Sequence, residues 1–304
     1  MNSSRSQRVF ILCALAGAAL VSPALAAEPV TKPATGAGDY RLVWADEFNK
    51  NGPLDPANWT FEQGFVRNEE LQWYQPENAV CADGHLIIEA RREEVPNPRY
   101  RADAGNWKLS RATAHYTSAS ANTRGHHAWL YGRFEMRGRI DISAGSWPAF
   151  WTLGTSGRWP ACGEVDVMEF YRDMLLANIG WAGAKGNIEW NSVHRPIPSF
   201  HDAEWSKKFH VWRMDWDENR IALYVDDALI NTEELSKTGN DLRAGENPFH
   251  HPMYLLVNLA IGGQQGGDPS HTTFPLRYEI DYVRVYQTPA QVAEQAYEEK
   301  RAQH

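Results

Sequence analysis

Glu164, Asp166 and Glu169 fall within six residues, Glu164-Val165-Asp166-Val167-Met168-Glu169, and the positions between them hold Val, Val and Met. Those intervening residues read as a buried β-strand. A carboxylate in such a setting is costly unless it is paired or put to chemical use. The two-residue period of a strand sets Glu164 and Asp166 on one face and Glu169 on the other. A one-residue bulge at Val167 or Met168 returns Glu169 to the face of the other two, and bulges of this kind gather beside active sites. The Cα atoms of Glu164 and Glu169 are then roughly 13 Å apart at the usual rise. With each side chain leaning toward the other, the carboxyl groups come to about 5 Å, close to the roughly 5–5.5 Å of a retaining glycosidase. In that chemistry one carboxylate is the nucleophile and the other the acid/base. Asp166 lies between them, where it can hydrogen-bond one carboxyl and separate their pKa values. The alternative reading of the same residues is a solvated acidic strand face.

The elements that must hold these groups are short. From Tyr40 onward the sequence alternates brief apolar runs with Gly, Pro, Asn and Asp, as in 41–44, 85–90, 132–140, 149–153, 164–170, 210–216, 221–225, 253–259 and 278–286. Only 290–303 has a helical composition. Many short strands separated by turn residues predict an all-β sandwich or jelly roll of two sheets. Arg133, Glu135, Arg137 and Arg139 alternate with Phe134, Met136, Gly138 and Ile140, which predicts a solvated outer face over an apolar inner one. Asp226-Asp227 after the 221–225 run reads as a hairpin turn.

The chain has 304 residues, 43% of them hydrophobic, enough for one large core. Arg5 and Arg8, an apolar stretch from Val9 to Val21 and Ala24-Leu25-Ala26 form a secretory signal over residues 1–26. Residues 27–38 read as a flexible leader, 39–288 as the catalytic domain and 289–304 as a short tail with helical character. Loss of Arg5 and Arg8 with the signal takes the net charge from −8 to −10, which argues against non-specific nucleic-acid binding. The apolar stretch is too short for a membrane span. Cys81 and Cys162 remain after cleavage, either as a disulfide or as two separate buried thiols. The 13 Trp and 12 Tyr suit a core and also suit stacking on sugar rings. The 11 His show no H-E-x-x-H spacing, and no phosphate-binding glycine loop or G-x-S-x-G elbow occurs.

The Glu164–Glu169 segment resembles the E-[IV]-D-[IV]-[MV]-E signature of glycoside hydrolase family 16. Companion segments stand in order across residues 40 to 287: Leu42-Val43-Trp44-Ala45-Asp46-Glu47-Phe48, Asn68-Glu69-Glu70-Leu71-Gln72, Asp83-Gly84-His85-Leu86, Tyr131-Gly132-Arg133-Phe134-Glu135, Trp147-Pro148-Ala149-Phe150-Trp151, Asn258-Leu259-Ala260-Ile261-Gly262-Gly263 and Ile280-Asp281-Tyr282-Val283-Arg284-Val285-Tyr286. The resemblance implies a concanavalin-like jelly roll of two antiparallel sheets with a concave cleft, and endo-acting, retaining attack on a β-linked polysaccharide. It assigns Glu164 as nucleophile, Asp166 as assisting carboxylate and Glu169 as acid/base, with no cofactor for catalysis. The chain is most similar to laminarinase-like β-1,3-glucanases, so β-1,3- or mixed β-1,3/1,4-glucan is the expected substrate and a monomer the expected state.

Trp147, Trp151, Trp159 and Trp181 are then candidate sugar platforms, and Asn68, Asn258 and Gln264 candidate partners for sugar hydroxyls. Glu47, the Gly84 carbonyl and Asp281 match positions that form a structural calcium site in many relatives, and oxygen donors suit that ion. The alternative there is a salt bridge or turn without metal. The sequence also departs from the family pattern. Asn178-Ile179-Gly180-Trp181 stands where a His-containing turn is expected, 183–201 reads as a long loop, and Asn68-Glu69-Glu70 carries an extra acid that disfavours anionic chains. Two other functions stay open: the same mechanism on a marine galactan such as agar, porphyran or carrageenan, and a non-catalytic glucan-binding module. Arginine and lysine near the catalytic strand would favour a galactan, and only Arg158 and Arg172 stand there.

Overall fold

The computed structural model describes residues 39–240 and 245–301; the signal at 1–26 and the leader at 27–38 lie outside them. Nearly every strand belongs to one of two antiparallel sheets. The eight-stranded sheet runs in the order Ala228–Glu234, Arg220–Val225, His210–Trp216, Gly132–Arg139, Leu276–Gln287, His85–Ala90 and Ala79–Ala82, with Arg41–Asp46 also paired to Leu276–Gln287. The seven-stranded sheet runs Ile188–Pro196, Met174–Ala182, Glu164–Tyr171, Ser146–Gly154, Met253–Ile261, Ser120–Asn122 and Thr60–Phe61. This is the two-sheet jelly-roll sandwich expected from the pattern of short strands.

The alternating pattern explains how the sheets meet. Along Gly132–Arg139, Phe134 and Met136 point into the space between the sheets and are fully buried. Their neighbours point outward, where Arg133 pairs with Asp215 and Arg139 with Glu279, both at 2.7 Å. From the other sheet, Phe150, Val165, Val167, Met168 and Phe170 enter the same core. Each fully buried large apolar side chain of this kind contributes about 1.5–3 kcal/mol, whereas the half-exposed ion pairs outside contribute about 0–1 kcal/mol each. The core therefore sets the sandwich, and the outer charges mainly keep its surface wet. The helix Pro289–Arg301 is tied back through Gln295, whose side-chain oxygen accepts from the backbone N–H of Leu130 at 3.1 Å.

Asp226 and Asp227 form the hairpin turn, with φ of 47° and 66°. Two such values in a two-residue loop match the twist of the flanking strands, and Asp tolerates them better than most residues. The segment 183–201 is not a loop. It contains the strand Ile188–Pro196, which pairs along its whole length with a second unforeseen strand, Met174–Ala182. Most of Ile188–Pro196 is at least partly solvated, so it lacks the apolar alternation by which strands are read from sequence. The two thiols do not pair: Cys81 lies in the Ala79–Ala82 strand of one sheet, and Cys162 in the turn before Glu164–Tyr171 in the other. Both are buried.

Candidate active site

The strand Glu164–Tyr171 is central in its half of the seven-stranded sheet, with Ser146–Gly154 on one side and Met174–Ala182 on the other. Its pairing slips by one residue on both sides. Trp151 opposes Asp166 but Phe150 opposes Met168, and on the far side Asp166 opposes Asn178 while Glu169 opposes Leu176. Val167 is the extra residue, and both Val167 and Met168 are buried in the core. The bulge turns Glu169 to the same face as Glu164 and Asp166, and all three line one cleft of about 560 Å³.

Hydrogen bonds hold the three carboxyl groups from both sides. The indole N–H of Trp159 donates to Glu164 Oε2 at 2.5 Å. That of Trp147 donates to Glu169 Oε1 at 2.7 Å. Asn178 Nδ2 donates to Asp166 Oδ2 at 3.0 Å and to Glu169 Oε2 at 3.1 Å, so one amide bridges two carboxyls. Burial pushes Glu164 and Glu169 well above the usual carboxylate range, and the charge of Asp166 raises both further. Burial also raises Asp166, to about 6, with hydrogen bonds from Asn178 and with Glu164 opposing it. A site in which two carboxyls flank a third, each held at a fixed oxygen, can keep one group protonated beside another that is ionised. Acid and nucleophile can then coexist at one bond.

Below the cleft floor lies a second charged layer. Glu70 is buried, and burial raises its pKa despite the opposing charge of Arg67. Gln72 donates to Glu70 Oε2 at 2.8 Å and accepts from the backbone N–H of Ile261 at 2.7 Å. One terminal nitrogen of Arg67 donates to both carboxylate oxygens of Glu62, and its guanidinium lies 5.0 Å from the centre of the Trp151 ring. The extra acid in 68–70 is thus divided: Glu69 is solvent-exposed, while Glu70 is buried beneath the acid/base candidate.

Among the candidate substrate residues, Trp147, Trp151, Trp159, Asn68 and Gln264 line the cleft with the carboxylates. Trp159 is 53% exposed, whereas Trp147 and Trp151 are largely buried. Asn258 sits deeper, accepting from Trp151 Nε1 at 2.7 Å and donating to the Tyr74 hydroxyl at 3.2 Å, and so steadies a cleft tryptophan. Trp181 is a correction. Asn178 and Gly180 oppose Asp166 and Glu164, so Trp181, one residue on, points to the other face and packs on the core. Cleft-wall residues that were not among the sequence's site candidates include Arg67, Tyr171, Asn178, Trp190, Ser192 and His194. The last three alternate along Ile188–Pro196, and that alternation of Trp, Ser and His was the available signal.

Glu47 and Asp281 belong to the eight-stranded sheet side. Both oxygens of Glu47 accept from Arg284, at 2.7 and 2.8 Å, and Asp281 Oδ2 accepts from Arg137 at 2.5 Å. Gly84, with φ of 77°, makes the turn between Ala79–Ala82 and His85–Ala90. Among the described residues, no three His, Cys, Asp or Glu side chains converge as they would around a cation. The carboxylate oxygens of Glu47 and Asp281 are thus turned to separate arginines rather than to one common point. Among the described residues, too, no helix is long and apolar enough to cross a membrane.

Comparison with known proteins agrees with this geometry. The family model for glycosyl hydrolases family 16 matches residues 70–284. A β-glucanase of Rhodothermus marinus is 35% identical over 81% of this chain and 85% of its own length. The laminarinase catalytic domain of Thermotoga maritima superposes with a TM-score of 0.68 at 32% identity, covering 82% of this chain and 98% of that one. A structure described with the endo-acting O-glycanases by which human gut microbiota initiate mucin breakdown superposes with a TM-score of 0.78, also at 32% identity, over 87% and 97%.

Proposed function

The chain belongs to glycosyl hydrolases family 16 and is a glycoside hydrolase of the endo-β-glucanase group, and we propose that it is a secreted, retaining endo-glycosidase acting on β-1,3- or mixed β-1,3/1,4-glucan. The observation that carries this reading is the bulge at Val167, which brings Glu164, Asp166 and Glu169 onto one wall of one cleft. The N-terminal sequence signature of residues 1–26 supports export.

In the first step Glu164 attacks the anomeric carbon while Glu169 gives its proton to the departing glycosidic oxygen, leaving a glycosyl ester on Glu164. In the second, Glu169, now ionised, takes a proton from the water that attacks the same carbon from the other side, and Glu164 leaves as carboxylate. The raised pKa of Glu169 keeps a proton available for the first step. The Trp159 N–H favours the ionised form of Glu164, against its burial. Asp166 and Asn178 hold the pair in register, since Asn178 reaches both Asp166 and Glu169.

The overlap with the mucin-degrading O-glycanase favours a second reading, in which the mechanism is kept and the polymer is the carbohydrate of a mucin-type glycoprotein. A marine galactan has less support. Among the described residues, Arg67 is the one arginine or lysine that lines the cleft, and its charge is already matched by Glu62. Reducing ends released from laminarin, lichenan, agarose, carrageenan and mucin will separate these readings. Proton NMR of the first product will show a β-anomer if the mechanism is retaining. Glu164→Gln is expected to abolish turnover while polymer binding persists; a variant as active as its parent ends the catalytic assignment.

A further inference from the structure

The cleft continues past the carboxylates onto the edge of its sheet. The row that starts at Glu164 passes to Gly180 on the next strand and to Trp190 on the strand beyond, where the sheet ends. Trp190 is 41% exposed, whereas Gly180, its neighbour one strand inward, is buried. Its ring lies flat against Gly180: a Cβ built on that glycine would stand 2.5 Å from the nearest ring carbon. Gly180 has no positive φ, so the backbone does not demand a glycine there. What the position requires is room, and the occupant of that room is the Trp190 ring.

The strand that carries Trp190 cannot slip to present another face. Asn191 Nδ2 donates to the Thr232 carbonyl at 2.9 Å and to Glu233 Oε2 at 2.6 Å. Asn231 Nδ2 donates to the Asn191 carbonyl at 3.1 Å. These bonds tie the odd-numbered face to the neighbouring sheet, and the even-numbered residues Trp190, Ser192 and His194 line the cleft. An apolar ring flanked on its own strand by a hydroxyl and an imidazole suits one ligand chemistry. The C–H face of a pyranose packs on the indole while its hydroxyls bond to the polar neighbours.

We infer that Trp190, with Ser192 and His194, forms a sugar-binding subsite for a neutral hexopyranose unit beyond the one that Glu164 attacks, and that Gly180 exists to seat the Trp190 ring. Two strand spacings, roughly 10 Å, separate the backbones of Glu164 and Trp190, so the unit it holds is not the one undergoing attack. The inference rests on the glycosidase reading of the cleft and gives that reading a direction, because the chain must extend over this edge. Among the described residues, no arginine or lysine lines this part of the wall, which suits an uncharged unit.

The test compares kcat/KM for a hexasaccharide and a trisaccharide of laminarin, or of whichever panel polymer the parent cleaves. Trp190→Ala should lower the hexasaccharide-to-trisaccharide ratio about tenfold, the worth of one aromatic contact, and Trp190→Phe should recover part of it. Gly180→Ala should lower the ratio similarly, because its methyl displaces the ring. In the Trp190→Ala background Gly180→Ala should then cost nothing further. An unchanged ratio in Trp190→Ala, or losses that multiply in the double variant, overturns the proposal. If Gly180→Ala fails to fold, the Ala and Phe variants of Trp190 decide it alone. Hexasaccharide affinity in a Glu164→Gln background must fall with Trp190→Ala as well. That binding result stands or falls separately from the catalytic assignment, which Glu164→Gln turnover tests.

Discussion

Asp166→Asn should make the protein more stable at neutral pH while making it a poorer enzyme. Burial raises the Asp166 carboxyl from 3.8 to about 6. A folded-state pKa above the unfolded one means that the native chain binds the proton more tightly. The ionised native form is therefore penalised, and stability is lost as pH rises from about 4 through about 6. The gap of about two pH units, at 1.36 kcal/mol each, sets a cost on the order of 3 kcal/mol at pH 7. Asparagine has nearly the same shape, keeps an oxygen to accept from Asn178, and carries no charge to bury. Urea denaturation of parent and variant at about pH 4 and about pH 7.5 measures the difference. The variant should gain up to about 3 kcal/mol at the higher pH and little at the lower. Loss of the Asp166 charge also relieves Glu164 and Glu169, whose pKa values it raises, and this adds to the gain at the higher pH in the same direction. Its turnover should drop, because a neutral residue no longer separates the two glutamates. A variant no more stable than its parent at pH 7.5, or equally stabilised at both pH values, refutes the argument that burial of charge at Asp166 is the dominant cost.

Trp159→Phe removes the N–H that favours ionised Glu164; the nucleophile pKa rises, and the acid limb of the kcat/KM profile should move to higher pH, while an unmoved or lowered limb refutes this. The Cys81 thiol, pushed up to about 11 by burial, should resist a thiol reagent in the folded protein and react on unfolding, and a reductant should leave Tm unchanged, since the two thiols are unpaired. Chelation with EDTA should also leave Tm unchanged, because Glu47 and Asp281 are held by Arg284 and Arg137; a fall reversed by calcium would show that the arginines yield to an ion.

The catalytic strand was legible because three charges among Val and Met are anomalous at any register, and bringing Glu169 round to Glu164 demands one extra residue. The helix at 289–301 was legible from composition alone. The hairpin of Met174–Ala182 and Ile188–Pro196 was not, and the reason is physical. Strands are recognised by one apolar face, but Ile188–Pro196 has the cleft on one side and hydrogen bonds to the Ala228–Glu234 strand on the other. Neither neighbour asks for a hydrophobic residue. The same gap explains the exchange of tryptophans. Composition points to an aromatic near Gly180, but which one meets the sugar depends on parity, and parity is known only once Asn178 is seen opposite Asp166. Likewise Arg137 and Arg284 stand far from their partners in sequence, so nothing local could show that Glu47 and Asp281 are already neutralised.

The hairpin and the two tryptophans, Trp181 and Trp190, share a location on the outer strands of the seven-stranded sheet, and that has a functional consequence. The three carboxylates lie where the sheet's interior fixes them, on a strand whose bulge residues Val167 and Met168 are buried. The hairpin that the sequence did not show lies on the outer strands of the cleft, where backbone pairing supplies the fold and the side chains of Ile188–Pro196 are at least partly solvated. A substitution at Trp190, Ser192 or His194 changes what the cleft touches without disturbing the core, whereas one at Val167 or Met168 changes both. In the proposed reading the core holds the three carboxylates in place, while the proposed sugar contacts at 190, 192 and 194 lie on an edge that the core leaves free. If that division is right, exchanging 190, 192 and 194 together should alter substrate preference with a Tm shift of a few degrees at most, since surface substitutions are usually within about 0.5 kcal/mol each. A collapse in Tm comparable to that of a core substitution would show that the edge strand is part of the folding unit rather than a surface laid on it.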